Sequence, residues 1–287
     1  MTSPLARAAT YGRMIKLSHS IFALPFALAA AFLAAGGAPS PRQVLWILVA
    51  MVGARSAAMG FNRLADHELD AKNPRTAARE LPAGLLTRRE VWAFVAVSAA
   101  ALVAAAAMLN PLCLALSPVA LLVVFGYSYT KRFTALSHLF LGLALAIAPV
   151  GAWLAVRGAL AWPPIVLGLA VLMWVAGFDT IYACQDADHD RTVGLRSLPA
   201  RWGIRTALVA ARVLHAGAVA LLAALFTLVP LHPLYLAGVA AVAGLLAYEH
   251  SLVRHDDLSR VDAAFFTVNG WISVGYFAFT LAALLLA

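Results

Sequence analysis

The chain is predicted to be all-α: a polytopic membrane protein of nine transmembrane helices, in two duplicated bundles around a central cavity that opens to the cytoplasmic side. Three observations support this. Hydrophobic residues make up 63% of the 287 and charged residues 12%, with a mean hydropathy of +0.86, far outside the range of soluble globular chains. Apolar runs long enough to cross about 30 Å of hydrocarbon recur along the whole length. Two of those runs lead into carboxylates at helical spacing.

The runs fall near residues 17–37, 41–62, 89–109, 112–129, 136–156, 163–183, 205–229, 233–250 and 263–286. They occupy most of the chain, which therefore reads as a single transmembrane domain over 1–287, with pseudo-repeat halves of about 1–135 and 136–287. Any chemistry must be done by the helices and their loops. The first run follows Arg7, Arg13 and Lys16 and superficially resembles a secretory signal. Ser18, His19 and Ser20 at its start argue instead for a retained helix with a functional end. Pro25, Pro118 and Pro149 lie inside runs and are expected to kink them. Cys113 and Cys184 show no CxxC pattern and read as packing residues.

The net charge of +8 is explained by topology. Of 21 Lys and Arg, all but Arg42, Arg157, Arg55 and Arg212 lie in the N-terminal segment or in the loops after the second, fourth, sixth and eighth spans. The positive-inside rule then puts the N-terminus in the cytoplasm and the C-terminus outside. The acidic residues share that cytoplasmic side. Basic character of this origin gives no reason to expect a nucleic-acid partner.

The acidic clusters carry the chemistry. Asn62, Asp66 and Asp70 stand at i, i+4 and i+8, spreading over about 80° of a helix; Asp179, Asp186 and Asp190 stand at i, i+7 and i+11, over about 40°. Each set shares one face. Glu68 and Asp188 are out of phase and should be solvated. Aligned aspartates repel by roughly 3 kcal/mol per close pair at an effective dielectric of 20, so they call for cations. Magnesium, a hard ion held by a few carboxylates plus substrate phosphates, suits short DxxxD pairs better than a complete protein cage does. His67 and His189 are out of phase with the acidic face and read as surface residues, which argues against zinc. The remaining histidines, His138, His215, His232, His250 and His255, read as structural. Asn62 can add an amide oxygen or orient the ligands.

Cations lie close by. Arg55 sits inside the second span, where an unpaired charge costs about 3 kcal/mol, and shares a stripe with Asn62 and Asp66, so it is expected to face the same cavity. Lys131 and Arg132 follow the fourth span and are candidate diphosphate clamps. The two clusters also echo each other. Arg79-Glu80-Leu81-Pro82-Ala83 follows the first, and Arg196-Ser197-Leu198-Pro199-Ala200 follows the second. An old duplication would place both helix ends about a pseudo-axis along the membrane normal, opening to one side.

These motifs resemble those of the UbiA-type intramembrane aromatic prenyltransferases over nearly the whole chain. The first is Asn62-Arg63-Leu64-Ala65-Asp66-His67-Glu68-Leu69-Asp70, the second Asp179-Thr180-Ile181-Tyr182-Ala183-Cys184-Gln185-Asp186-Ala187-Asp188-His189-Asp190. The resemblance implies nine helices in a bacterial cytoplasmic membrane and a polyprenyl diphosphate donor bound through Mg²⁺ by Asn62, Asp66, Asp70, Asp186 and Asp190. It implies that Lys131, Arg55 and Arg79 stabilise the leaving pyrophosphate, and that Asp179 orients or deprotonates an aromatic acid acceptor. Lys16, His19, Tyr127, Arg132, Tyr182 and Arg196 complete the substrate contacts it implies, and Tyr127, Trp153, Trp174 and Phe178 would shield the cation or line a lipid-tail channel. The segment Asn73 to Pro82 is similar to the quinone-pathway branch, whose acceptor is 4-hydroxybenzoate or a menaquinone precursor such as a dihydroxynaphthoate. Lys16-Leu17-Ser18-His19-Ser20 departs from the pattern usual in 4-hydroxybenzoate enzymes and leaves that choice open.

Two other classes share single features. A secondary transporter also shows repeats and intramembrane charge, but its carboxylates belong near the bilayer midplane, whereas these lie at helix ends before basic loops. A phosphotransferase for CDP-linked lipids needs an extended Asp-Gly-Ala-Arg signature, which is missing.

Overall fold

A computed structural model describes residues 4–16 and 22–287. The expected His19 contact therefore lies outside the described residues. The apolar runs form helices α2 (Leu24–Ala35), α3 (Pro41–Ala65), α5 (Arg88–Leu109), α6 (Pro111–Gly126), α7 (Ser137–Arg157), α8 (Trp162–Ala183), α11 (Ile204–Leu225), α12 (Leu234–Ser251) and α13 (Asn269–Leu285). Short helices α1 (Pro4–Met14), α4 (His67–Lys72), α9 (Ala187–Thr192) and α10 (Leu198–Trp202) lie between or before them. Among the described residues, eight helices, counted with their short extensions, are long and apolar enough to span a membrane, and α2 is shorter. The expected count of nine thus rests on a helix with 12 described residues.

Local chemistry sets the ends. Ser40 and Thr87 form capping boxes with Gln43 and Glu90 at the starts of α3 and α5, and Asn110 accepts from the Cys113 amide at the start of α6. Pro25 proves to be in the first turn of α2, where a proline needs no kink, while Pro118 and Pro149 do lie inside α6 and α7. The run near 112–129 stops being α-helical at Gly126 and tightens into a 3₁₀ turn, Tyr127–Arg132, locked by Thr130 Oγ1 donating to the Tyr127 carbonyl at 2.7 Å. A π-turn, Ala263–Val268, opens the last span; the buried Asn269 amide donates to the Ala264 carbonyl at 3.1 Å and helps to hold it. Helix α1 packs on the start of α5, with an Arg7–Glu90 ion pair and Tyr11 stacked on Phe94.

In the first half α3 packs on α5; in the second α7 and α11 flank α8, and α2 lies on α7 and α13. Small residues allow the close pairs. A Cβ at Gly53 of α3 would come within 2.9 Å of the Leu102 amide nitrogen, and one at Gly142 of α7 within 2.3 Å of the Leu172 carbonyl oxygen. Helix α8 is the axis of the bundle. In its 18-residue apolar stretch 61% is buried, against 28% in the corresponding stretch of α3. Phe26, Trp174 and Phe178 pack in the core beside it, with ring centroids 4.9 Å and 5.1 Å apart.

Candidate active site

Both acid-bearing ends are built the same way. Helix α3 stops at Ala65 and α4 restarts at His67, and Asp66 at the joint has φ −98° and ψ 8°. Helix α8 gives way to a 3₁₀ turn and then to α9, and Asp186 at that joint has φ −100° and ψ 3°. The continuous helix face expected from the spacing is therefore broken at the aspartate at both ends. Phase survives in the first because i to i−4 bonds cross the break: the Asp66 amide donates to the Asn62 carbonyl at 2.9 Å and the Asp70 amide to the Asp66 carbonyl at 2.7 Å. Glu68 and Asp188 are exposed, as their phase requires.

One cavity of about 170 Å³ is lined by both ends. Asn62, Asp66, Asp70, Asp179, Asp186 and Asp190 face it, with Arg79, Tyr127, Lys131, Arg132 and Tyr182. The spacing had not singled out Asn73, Arg75, Thr76, Ser128 and His189, which line it as well. His189 is thus corrected from a surface residue to a cavity residue, and His67 is half-buried with its Nδ1 unpartnered. The volume is below the roughly 300–1,000 Å³ of typical ligand pockets. It suits a charged head and not a long chain.

Arg75 and Asn73 tie the two ends together. From the loop after the first cluster, Arg75 makes a two-pronged ion pair with Asp186 of the second and donates to the Tyr182 hydroxyl at 2.9 Å. Asn73 Nδ2 lies 3.4 Å from Asp186 Oδ1. Burial disfavours the Arg75 charge, but the Asp186 hydrogen bonds and charge outweigh it and raise its pKa. Arg79 of the same loop donates to Asp70 at 2.6 Å. Lys131 lies between the clusters, a charge neighbour of Asp66 on one side and of Asp179, Asp186 and Asp190 on the other. Asn62 donates to Asp66 at 3.0 Å, and Arg132 lies 3.5 Å from Asp66. Burial pushes the Asp66 carboxyl above its ordinary range, against the pull of Lys131 and Arg132.

Several expectations need correction. Arg55 is not in the cavity lining; its Nη2 donates to the Lys16 carbonyl at 3.2 Å and its Nε is buried without a partner. Arg196 turns away to the Phe133 carbonyl, at 2.9 Å. Lys16 lies outside the lining, with Nζ 5.9 Å from the Phe266 ring centre. Trp153, Trp174 and Phe178 are buried in the core and do not face the cavity. For Arg55 the reason is that helical phase gives a direction about one axis, while neighbouring segments decide what lies there; the others were implied by the resemblance alone. His138 was read as structural, yet its Nδ1 lies 2.6 Å from Asp179 Oδ2. His215 and His250 pair with each other at 3.0 Å.

Comparison with known proteins bears on this arrangement. The model of the UbiA prenyltransferase family matches residues 23–285. The chain belongs to the UbiA prenyltransferase family. It is an integral membrane prenyltransferase. A UbiA homolog from Aeropyrum pernix K1 superposes with a TM-score of 0.84 at 35% identity, covering 92% of this chain and 97% of that one. Among sequences, 4-hydroxybenzoate octaprenyltransferase of Cupriavidus metallidurans is 32% identical over 98% of this chain and 96% of its own length. The enzyme of that name from Vibrio cholerae is 34% identical over 94% and 95%. A homolog from Archaeoglobus fulgidus, solved with DMAPP and Mg²⁺, shares the UbiA fold with a TM-score of 0.73 at 22% identity, covering 97% of this chain and the whole of that one.

Proposed function

We propose that this prenyltransferase moves a polyprenyl group from a polyprenyl diphosphate to an aromatic acid of the 4-hydroxybenzoate type in quinone biosynthesis, with Mg²⁺ as cofactor. The observation that carries the reading is one cavity shared by both acid-bearing ends and by Lys131, Arg75 and Arg79. The names of the sequence relatives, and the Mg²⁺ and DMAPP of the A. fulgidus homolog, agree with it.

The residues fit the metal. Asp190 Oδ2 is buried without a hydrogen-bond partner, and Asp70 Oδ2 also lacks one, with only the Arg63 guanidinium 3.8 Å away; buried carboxylate oxygens with unused acceptor capacity suit a cation ligand. The donor set is all oxygen, as a hard cation needs. No three acidic or histidine side chains form a ready-made cage among the described residues, which agrees with an ion that shares its shell with substrate phosphates. Asn62, Asp66, Asp70, Asp186 and Asp190 would hold it. When bound, Mg²⁺ neutralises diphosphate charge and eases pyrophosphate departure.

The chain's own groups do the rest. Lys131, Arg79 and Arg75 meet the negative charge that grows on the leaving group. Asp179 faces the acceptor and takes its proton as the carbon–carbon bond forms, and Tyr182 offers its hydroxyl at the same wall. The basic loops favour a bacterial inner-membrane enzyme with its N-terminus and active site on the cytoplasmic face. The matching joints at Asp66 and Asp186 support two pseudo-repeat halves within a single domain.

Purified protein with Mg²⁺, a long prenyl diphosphate and 4-hydroxybenzoate is expected to release pyrophosphate and form a prenylated acid. Asp66→Ala and Asp186→Ala are each expected to stop it, and unchanged turnover in both would overturn the reading. A parallel panel with dihydroxynaphthoates decides the acceptor.

A further inference from the structure

His138 is the second residue of α7 and is 2% exposed. Its Nδ1 lies 2.6 Å from Asp179 Oδ2, and its Nε2 lies 3.4 Å from the backbone nitrogen of Leu198. A backbone N–H can only donate. Nε2 is therefore the acceptor, the ring's proton sits on Nδ1, and that proton is donated to Asp179. Leu198 belongs to the Arg196–Ala200 segment, where Ser197 caps the short helix α10 by accepting from the Ala200 amide. Three elements thus converge on one carboxylate: α8 carries it, α7 orients it, and the loop after the second cluster selects the tautomer. Asp179 also lines the cavity, and its charge neighbours there are Lys131 and Tyr127.

We propose that His138 is a positioning residue for proton removal, holding one oxygen of Asp179 so that the other faces the acceptor. In the step it serves, the prenyl carbon–oxygen bond breaks and its electron pair leaves with pyrophosphate. A ring carbon of the acceptor bonds to the prenyl carbon. The proton displaced from the acceptor passes to Asp179 and then to solvent. His138 exchanges no proton; it fixes direction, as the third member of an oriented acid–base set does. The inference rests on the reading of Asp179 as the group that meets the acceptor.

The test uses the full chain in detergent or liposomes, with Mg²⁺, a prenyl diphosphate and the acceptor that the wild type accepts. His138→Leu is expected to lower kcat on the order of a hundredfold while the KM for prenyl diphosphate stays within about twofold. His138→Asn puts an amide donor near the Nδ1 position and is expected to recover most of that loss. Combining His138→Leu with Asp179→Asn is expected to be no worse than Asp179→Asn alone, because the two act as a unit. A Tm for each variant separates folding from chemistry. Three results would each overturn the proposal: a His138→Leu kcat within twofold of wild type, a His138→Asn enzyme no better than His138→Leu, or a donor KM that rises as far as kcat falls. Absence of prenyl transfer by the wild type to every acceptor would sink the underlying functional reading as well, which distinguishes the two failures.

Discussion

At the first acid-bearing end, Asp66 turns the chain with φ −98° and ψ 8°; at the second, Asp186 does so with φ −100° and ψ 3°. The surroundings then diverge. Asp66 and Asp70 are met by Asn62, Arg132 and Arg79. Asp186 is met by Arg75 from the loop after the first cluster, and Asp179 by a histidine from α7. The arginines that follow the second cluster do other work: Arg196 reaches the Phe133 carbonyl, and Arg191 of α9 pairs with Asp188 and holds the Pro199 and Ala200 carbonyls. The two ends thus share the form of their joint and differ in what meets it: an arginine of the following loop at the first, and a crossing arginine and a histidine at the second.

The second end is also the more rigidly framed. Trp174 of α8 donates to Asn269 Oδ1 at 2.7 Å, and Asn269 Nδ2 donates to Glu249 Oε1 at 3.1 Å. Glu249 is fully buried and its other oxygen has no hydrogen-bond partner. This crosslink ties α8 to α12 and α13.

The largest effect is expected at the residue both ends share. Lys131→Ala should cut kcat by about 10²–10³, because it removes the cation facing both clusters; steady-state turnover near wild type would show that the ends do not act together. The division of labour is sharpened next by Arg75→Gln and Arg79→Gln. Each should raise the donor KM by roughly tenfold, the loss of about one charge-assisted hydrogen bond, whereas Arg196→Gln should leave it within twofold. An Arg196→Gln effect as large as that of Arg75→Gln would break the asymmetry. Framing of the second end is probed by Asn269→Ala, expected to cost about 1–3 kcal/mol by leaving buried polar groups unpaired. Thermal unfolding in detergent reads it, and an unchanged Tm would remove the crosslink from the account.

The smallest effect concerns Lys16, beside the first end. Burial, followed by Arg79, Arg63 and Arg75, pushes its pKa from 10.5 down to about 8. A charged group disfavoured by folding destabilises below its folded value, and the penalty fades as pH rises from 8 through 10.5. Lys16→Met should therefore have a higher Tm than wild type at pH 7, with the gap closing by pH 10. A gap that widens with pH would contradict the sign.

Much of this site was legible before any tertiary contact was known, and the reasons are local. Carboxylates at helical spacing, a basic pair at Lys131–Arg132 after an apolar run and Leu-Pro-Ala echoes after each cluster are properties of short stretches. Arg75 was missed because nothing in the loop Asn73–Pro82 says which of its arginines crosses to the other copy. His138 was missed because it stands 41 residues from Asp179, with no shared periodicity. Arg55 was placed in the cavity by its stripe on α3, and only the chain turning past Lys16 shows that its guanidinium is spent on a carbonyl.

Apolar run length, charge placement and the twin acidic motifs by themselves determined that this chain spans a membrane and gathers carboxylates at two helix ends, because hydrocarbon thickness and helical pitch act along one segment at a time. Which arginine reaches which aspartate, which histidine lies against Asp179 and which aromatics stay in the core were decided only when the helices packed, since contacts between distant segments depend on where every other helix has already taken up space.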